Sequence, residues 1–577
     1  MMTTDEKVAI MIDDVRRRLF DMRRPDGMWE GSLSSSAIST SVSVYALSLV
    51  DAGKYKADID HGIAWLLSTV HEDGSWGDSV ESPANMTATL LSYASLHAFG
   101  KAPESTRRYL TDVLGGSDEQ RLVKGVLDYY GKDLTFSVPI LIMCALTGVI
   151  QSWESIPAFP FELAVLPQRF FRFLNLPVVS YAIPALIAVG ILQYRQKGNR
   201  LRALREPFVR RTMDKLVTLQ PEDGGFLEAA PLTAFVTMCL CAAGFRDHVV
   251  TQCGARFLHN TVRADGAWPI DTNLSQWVTS LSVIALGDDL PDPERTAQLI
   301  CRNATKTQHP FTGAPKGGWG WSDLSGSVPD GDDTSGALVA LHSALQGRYV
   351  PEVGEGLLWL MALQNRDGGM PTFCKGWGKL PFDRSSPDIT AHAVLAMGLW
   401  VDSLPSDLRI ACQQSLNSMY NWLEKHQQPG GDWTPLWFGD QDAPDEKNPV
   451  YGTATLMDYL YTLKSARAYV LADRGRAYLL NAQNEDGGWG GQPGVASKVT
   501  LTAKALSALS ATSQTDAGPA LERAVDYLYM HHTQGTLFRR EPIGLYFARL
   551  WYSEEMYNLT YLLKGLKRYQ NSKHTAT

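Results

Sequence analysis

The sequence predicts an all-α protein built from paired helices. A short phrase recurs along the chain, in which an amphipathic helical stretch ends in a turn of the form Asp-Gly-x-Trp. The copies recur roughly every 40–60 residues, a period typical of helix-pair repeats. Between them lie further helical stretches, and the alternation that marks strands is nearly absent. With 577 residues, the chain is long enough for two or more domains.

The recurring turns are expected to be structural. Their glycine permits a tight turn at the end of a helix, and the Gln and Trp nearby can tie that turn to a neighbouring helix. Asp26, Asp73 and Asp486 are therefore predicted to be turn residues. The copies end at or near Trp29, Trp76, Gly224, Trp268, Trp319, Gly368, Trp433 and Trp489.

The stretch 316–336 contains the strongest candidates for catalytic residues. Asp330, Asp332 and Asp333 precede an apolar periodic run, which predicts a loop that leads into a helix N-terminus. Like charges this close raise the pKa of at least one carboxyl, so the cluster is a candidate proton donor. A solvated turn with an Asp N-cap and a glycosidase carboxylate pair are the open alternatives. A calcium loop is excluded, because Ser335 and Leu341 stand where it needs Gly and Glu.

Composition narrows the class of protein. The net charge of -8 and the lack of a basic run argue against nucleic acid as a partner. Seven scattered cysteines without a CxxC pair indicate a reducing compartment. The N-terminus lacks the apolar core of a signal peptide, so we expect a cytoplasmic protein. The longest apolar run, 178–194, is short for a membrane span and predicts a buried core helix. A basic segment after it leaves peripheral contact with the inner face of the membrane as an alternative.

A second stretch brings a histidine near this chemistry. His392 follows Asp388 by four residues on a predicted helix, so both share one face. It could hydrogen-bond an aspartate of the cluster, although a lone helical histidine is usually a satisfied core residue. The aromatic-rich stretches around Trp437 and Tyr451 and near Tyr552 suit either a core or a pocket walled by aromatic faces.

With these motifs the chain resembles the class II terpene cyclases, specifically the squalene–hopene cyclase family. The Asp-Gly-x-Trp copies look like its QW repeats, and PDGDDT at 329–334 is similar to its D-x-D-D-T acid motif. SPDITAHAV resembles the segment with its acid-partner histidine, and VYGTA the stretch with its active-site tyrosine. The correspondence covers nearly the whole chain in order.

The resemblance implies two (α/α) barrel domains, the terpenoid cyclase toroid in its βγ arrangement, with the substrate cavity between them. Residues 33–271 would form the inserted barrel. Residues 1–32 and 272–577 would form the catalytic barrel, which carries the acid motif.

The resemblance also implies roles for the matching residues. Asp332 would be the general acid that protonates a terminal alkene or epoxide, while Asp330 and Asp333 stay charged beside it. His392 would hydrogen-bond Asp332, and Tyr451 would help to return the proton through water. Aromatic wall residues would stabilise carbocations by cation–π contact, on the order of 2 kcal/mol each when desolvated. These wall residues are Trp277, Trp321, Phe373, Trp437, Tyr181 and Tyr552.

Several positions depart from the family pattern. Gly331 stands between the first two aspartates, and Phe373 replaces a wall tyrosine. Leu545 and Arg549 stand where the family has aromatic residues. Arg549 has two interpretations: it contacts a polar head such as a diphosphate or carboxylate, or it forms a surface salt bridge. The ring number and the product are left open by these departures.

The predicted function is cofactor-free polycyclisation of a linear isoprenoid, with squalene as first choice and no metal site. A prenyl diphosphate or a prenylated aromatic is the main variant. A diphosphate would call for Mg²⁺ and a second acidic cluster, and the chain has no clear DDxxD motif. The hydrophobic substrate is the expected partner, and a homodimer and monotopic membrane contact stay open. The alternatives from other classes are an (α/α)-barrel glycosidase or lyase, a zinc prenyltransferase barrel using Cys374 and His392, and a non-catalytic barrel.

Overall fold

A computed structural model describes residues 2–116, 118–131, 134–166, 170, 183–197, 202–310, 312–371, 383–511, 515–545 and 549–575. Helices dominate it, which confirms the predicted all-α class. The helices of the first half are Thr4–Asp21, Ala37–Asp51, Lys56–Ser68, Met86–Ala98, Glu104–Leu114, Glu119–Tyr130, Leu134–Leu146, Ile183–Gln196, Arg202–Leu219, Ala230–Ala242, Val249–Asn260, Ser275–Leu286 and Pro293–Asn303. Those of the second half are Gly331–Ala344, Pro351–Leu363, Pro387–Trp400, Ser406–His426, Pro449–Thr462, Ala466–Asn481, Val499–Ser510, Gly518–Thr533 and Glu555–Thr575. Short 3₁₀ turns lie at Trp153–Ser155, Phe161–Val165, Phe226–Glu228, Gly287–Asp289, Val401–Ser403 and Thr515–Ala517.

The strands are short and join distant parts of the chain. Ser35–Ser36 pairs antiparallel with Trp268–Pro269, and Met370–Pro371 pairs antiparallel with Ser385–Ser386. Phe438–Gly439, Ile543–Leu545 and Leu550–Tyr552 form a three-stranded antiparallel sheet.

The helices form an inner and an outer layer. Inner helices are buried around most of their circumference, as Pro387–Trp400 is. Outer helices bury one stripe: Pro293–Asn303 buries only Thr296, Ala297 and Ile300. Paired layers of this kind form the (α/α) barrels that the family resemblance implies. The other inner helices are Ala37–Asp51, Met86–Ala98, Ala230–Ala242, Ser275–Leu286, Gly331–Ala344, Pro449–Thr462 and Val499–Ser510.

Each recurring turn fastens an outer helix to an inner one. The Trp433 indole N–H donates to the Leu423 carbonyl, and its backbone N–H donates to the Thr453 hydroxyl on an inner helix. Gln427 donates to the Gly431 carbonyl within the turn and to the Leu471 carbonyl on the next outer helix. The hydrogen bonds confirm the structural interpretation of these turns. The same indole bond occurs at Trp29, Trp76, Trp268, Trp319 and Trp489.

Two hydrophobic cores lie within the fold. One contains the N-terminal helix and most apolar residues after Trp277, and the other contains residues from Ala37 to Trp268. The backbone N–H of Trp29 donates to Thr279, so the N-terminal segment is fastened to the later part of the chain. The limits predicted for the two domains, 1–32 plus 272–577 and 33–271, stay a prediction.

The apolar run near residue 190 forms part of the second core. From Ile183 to Tyr194 every residue of the helix is buried. Among the described residues, no helix combines the length and the hydropathy that crossing a membrane demands.

Candidate active site

The acidic motif forms the start of an inner helix, Gly331–Ala344. Asp330 is its N-cap, and its Oδ1 accepts the backbone N–H groups of Asp332 and Asp333, both at 2.8 Å. An Asp at this position satisfies amides that the helix itself leaves unpaired. The cap fixes the backbone from which Asp332 and Asp333 project.

Asp330 and Asp333 form a buried carboxyl pair with raised pKa values. Burial, and then the charge of Asp332, raise the pKa of Asp330 to about 7, against hydrogen bonds that lower it. Burial, followed by the charge and hydrogen bond of Asp330, raises the pKa of Asp333 well above its usual range. Two buried carboxyl groups this close cannot both ionise at neutral pH. The raised pKa values, caused mainly by burial, favour one shared proton, whereas the resemblance implies two charged carboxylates.

Asp332 has a different environment. Its Oδ1 lies 2.6 Å from Nδ1 of His392, and its side chain is 21% exposed whereas that of His392 is 1% exposed. The imidazole stacks on the Tyr459 ring, with centroids 4.6 Å apart, and meets the Trp277 ring edge-on at 6.1 Å. The packing therefore fixes the ring with one nitrogen on Asp332.

Asp388, on the same helix as His392, has a different hydrogen-bond partner. It accepts a hydrogen bond from the Ser386 hydroxyl, and burial is the main cause that raises its pKa to about 6.

The three aspartates face an apolar cavity of about 350 Å³. Four of the six predicted aromatic wall residues line it: Trp277, Trp321, Trp437 and Tyr552. The other two, Tyr181 and Phe373, lie outside the described residues. Phe438 and Tyr557, from the aromatic-rich stretches that suited either a core or a pocket, also line the cavity. Sequence reasoning missed other residues of this wall, among them Tyr130, Phe136 and Phe235. These lie in stretches without a recognised motif, so nothing local marked them.

Tyr451 is buried beside the cavity wall. Its ring lies 5.1 Å from that of Phe438, and the Lys504 ammonium lies 4.2 Å above its centroid. Among the described residues, no direct hydrogen bond joins Tyr451 to Asp332. The structure thus brings Asp330, Asp332, Asp333 and His392 together, and the role of Tyr451 in returning the proton through water stays a prediction.

A second buried acidic pair adjoins the cavity and was not predicted. Glu228 accepts a hydrogen bond from the Ser322 hydroxyl at 2.7 Å, and burial raises the pKa of Glu228 to about 8. Burial and the charge of Glu228 raise the pKa of Asp271, which lines the cavity, well above its usual range. These residues are distant from the acid motif in sequence, so no spacing could mark them.

Arg549 forms a salt bridge, as one of the two interpretations expected, at a position that also lines the cavity. It lines the cavity, pairs with Glu446 at 2.8 Å and lies over the Tyr129 ring at 4.5 Å. Of the described residues that line the cavity, it is the one cationic side chain. In the described ranges, no cluster of three or more His, Cys, Asp or Glu has an arrangement suited to a metal ion.

The sequence is similar to a known family of proteins. The chain matches the family model of the squalene-hopene cyclase C-terminal domain over residues 302–571 and that of the N-terminal domain over residues 12–108. It is 22% identical to the squalene–hopene cyclase of Zymomonas mobilis, over 98% of this chain and 96% of that protein. It is 29% identical to drimenyl diphosphate synthase of Streptomyces showdoensis, over 50% of this chain and 48% of that protein.

A solved structure shares the fold. ent-Copalyl diphosphate synthase from Streptomyces platensis superimposes with a TM-score of 0.57 at 16% identity, covering 98% of this chain and 99% of that one. The matches span less than half the length of three curated relatives, at 41%, 47% and 48%.

Proposed function

We propose that this chain, which belongs to the squalene–hopene cyclase family, is a class II terpene cyclase. It protonates a terminal alkene or epoxide of a linear isoprenoid and closes rings through a carbocation cascade. One observation carries the proposal: a carboxyl group held by a buried histidine opens into an apolar, aromatic-lined cavity.

Asp332 is the proposed general acid. It is the member of the acidic cluster that combines partial exposure with a histidine partner at 2.6 Å. When Asp332 gives its proton to the alkene, the His392 hydrogen bond stabilises the carboxylate that remains. A proton shared by Asp330 and Asp333, which their raised pKa values favour, limits the negative charge around Asp332 before the reaction.

The cavity wall is proposed to guide the cation. The faces of Trp277, Trp321 and Trp437 are electron-rich and attract positive charge by about 2 kcal/mol or more where water is excluded. Holding the polyene folded before protonation supplies the orientation that ring closure needs. Because the apolar cavity excludes water, the carbocation is not quenched before ring closure is complete. Tyr181 and Phe373 stay predicted members of this wall.

Squalene is the first choice of substrate. The cavity is lined mainly by apolar side chains. The guanidinium of Arg549, which also lines it, is already paired with Glu446. A diphosphate carries several negative charges and favours a site with several cationic or bidentate donors. The reaction is proposed to need no cofactor. Contact with the membrane and a homodimer stay predictions.

A prenyl diphosphate is the second candidate. The relative named drimenyl diphosphate synthase, at 29% identity over half of this chain, favours it. On this alternative the mechanism at Asp332 is unchanged, the Arg549 end of the cavity receives the diphosphate, and Mg²⁺ is required.

A substrate panel tests the proposal. Purified protein in detergent, with and without EDTA, is incubated with squalene, oxidosqualene, farnesyl and geranylgeranyl diphosphates and a prenylated aromatic. Products are identified by gas chromatography–mass spectrometry, with Asp332→Asn in parallel. A cyclic product of squalene that survives EDTA and is absent from the variant supports the proposal. Product from a diphosphate alone, lost with EDTA and restored by Mg²⁺, selects the second candidate. Full activity of Asp332→Asn contradicts the role of Asp332.

A further inference from the structure

A fourth carboxyl group faces the substrate cavity. Asp271 is partly exposed and lines the cavity between the apolar wall residues Ile270 and Leu274. Among the described lining residues it is the one carboxyl group that does not belong to the acid motif. A carboxyl group in an apolar wall costs free energy, and a wall that only holds a hydrocarbon gains nothing from it. Its position therefore points to a part in the reaction.

Glu228 lies behind Asp271 and forms a pair with it. Glu228 is fully buried, is absent from the cavity wall, and accepts a hydrogen bond from the Ser322 hydroxyl at 2.7 Å. The backbone N–H of Thr272 donates to Oδ1 of Asp271 at 2.7 Å, and the Thr272 hydroxyl donates to the Glu228 carbonyl at 3.1 Å. The raised pKa values of both carboxyl groups, caused mainly by burial, favour a shared proton. A carboxylate with a raised pKa is also a stronger base than a solvated one.

Packing holds the backbone of this pair in an unfavourable conformation. Leu227, which lines the cavity, and Glu228 both have a φ of 57°, in the left-handed region that side chains with a Cβ rarely adopt. Gly326 packs so closely that a Cβ there would lie 2.7 Å from Cγ of Glu228. Such conformations persist only where the surrounding structure holds them. The fold thus keeps Glu228 behind the wall and leaves Asp271 as the member of the pair that a substrate can touch.

The pair lies near the end of the cavity where the reaction begins. The charge of Asp271 contributes to the raised pKa of Asp333. The carbonyl of Trp321, the residue before Ser322, accepts the backbone N–H of Trp277 at 3.0 Å, and both indoles line the cavity. A cation that these two aromatic faces stabilise therefore forms close to Asp271.

We propose that Asp271 is the base that ends the cascade by taking a proton from the carbon next to the cationic carbon. This rests on the proposed function. The C–H bond breaks, its electron pair forms the new C=C bond of the product, and the proton goes to the Asp271 carboxylate. Because Asp332 gave one proton and Asp271 takes one, the product is an isomer of the substrate. Exchange with water after product release resets both groups. Because Asp271 lies close to the acid motif, it meets the cation of the first rings formed.

Product analysis with whichever panel substrate is turned over tests the proposal. The main wild-type product should be an alkene isomeric with the substrate. Asp271→Asn keeps an acceptor for the Thr272 N–H, and it should consume substrate within about threefold of the wild-type rate because Asp332 still starts the reaction. The share of the wild-type alkene should fall by about tenfold or more. Alcohols from water capture, and alkenes that have lost a different proton, should replace it. Asp271→Ser, which also offers an oxygen to Thr272, serves if the asparagine variant does not fold.

The matched control is Asp223→Asn. The charge of Asp223 also acts on Glu228 and Asp271, and its carboxylate accepts the Gly225 N–H at 2.9 Å, but it is absent from the cavity wall. This variant should keep the wild-type product mixture. An alcohol as the main wild-type product overturns the proposal. So does an unchanged mixture in both Asp271 variants, whatever their rate, or an equal shift in the control. With Asp332→Asn inactive, these results remove only the terminating base, whereas an active Asp332→Asn removes the proposed function itself.

Discussion

His392→Phe isolates the hydrogen bond on which the proposed acid depends. Phenylalanine keeps an aromatic ring, one atom larger, where the imidazole stacks on Tyr459 at 4.6 Å and meets Trp277 at 6.1 Å, and it removes both ring nitrogens. The lost bond joins Nδ1 to Asp332 at 2.6 Å. A hydrogen bond to a charged group contributes about 1.5–3 kcal/mol. Because this bond stabilises the carboxylate left after proton donation, the first-turnover rate should fall about 10- to 150-fold.

The assay is the single-turnover rate, which does not depend on proton reloading, together with KM. His392 does not line the cavity, so KM should stay within about twofold, as expected for an interaction that acts on the transition state. The control is His342→Phe, which replaces a histidine edge-on to Trp400 at 5.0 Å, away from Asp332. A first-turnover rate like that of the wild type, or a change confined to KM, would refute the reasoning.

Two further predictions concern stability. Burial raises the pKa of Asp78 to about 8, above its value in the unfolded chain. Its contribution to stability is therefore fully present below about pH 4 and is lost as the pH rises to 8, by up to about 1.4 kcal/mol per pH unit. Urea unfolding of Asp78→Asn should depend less on pH from 5 to 8 and show higher stability than the wild type at pH 8; equal pH dependence in both proteins contradicts this. Gln427→Ala removes hydrogen bonds to Gly431 at 2.7 Å and Leu471 at 3.2 Å and should cost about 2–3 kcal/mol. Exposed Gln428→Ala should change stability by less than about 0.5 kcal/mol; equal losses in the two variants would exclude the turn as their cause.

The sequence predicts those features that local chemistry decides. Asp-Gly turns and buried indoles recur because each repeat joins one outer helix to one inner helix through the same hydrogen bonds. Asp330 could be placed at a helix N-terminus because a side-chain cap acts on amides two and three residues later. The contact between Asp332 and His392 came from the family resemblance, since nothing local sets a distance across 60 residues.

The sequence could not predict groups that only packing brings together. Lys504 and Asp458 each interrupt an apolar helical run, and either could equally have been a surface residue. Both line one small buried pocket. The pocket forms where the helices Pro449–Thr462, Val499–Ser510 and Glu555–Thr575 pack together. Glu228 and Asp271 likewise become an acidic pair only when the chain folds, and their raised pKa values follow from burial that no sequence pattern reports.

The most direct test of the central claim is cyclisation in D₂O with analysis of the product by mass spectrometry and NMR. If an exchangeable proton of Asp332 starts the reaction on an alkene, each product molecule should carry one deuterium, located in the methylene group of the first ring that lies next to its gem-dimethyl carbon. Asp332→Asn should give no labelled product. Cyclic product without deuterium, or with the label elsewhere, would show that the cascade does not begin by protonation at Asp332.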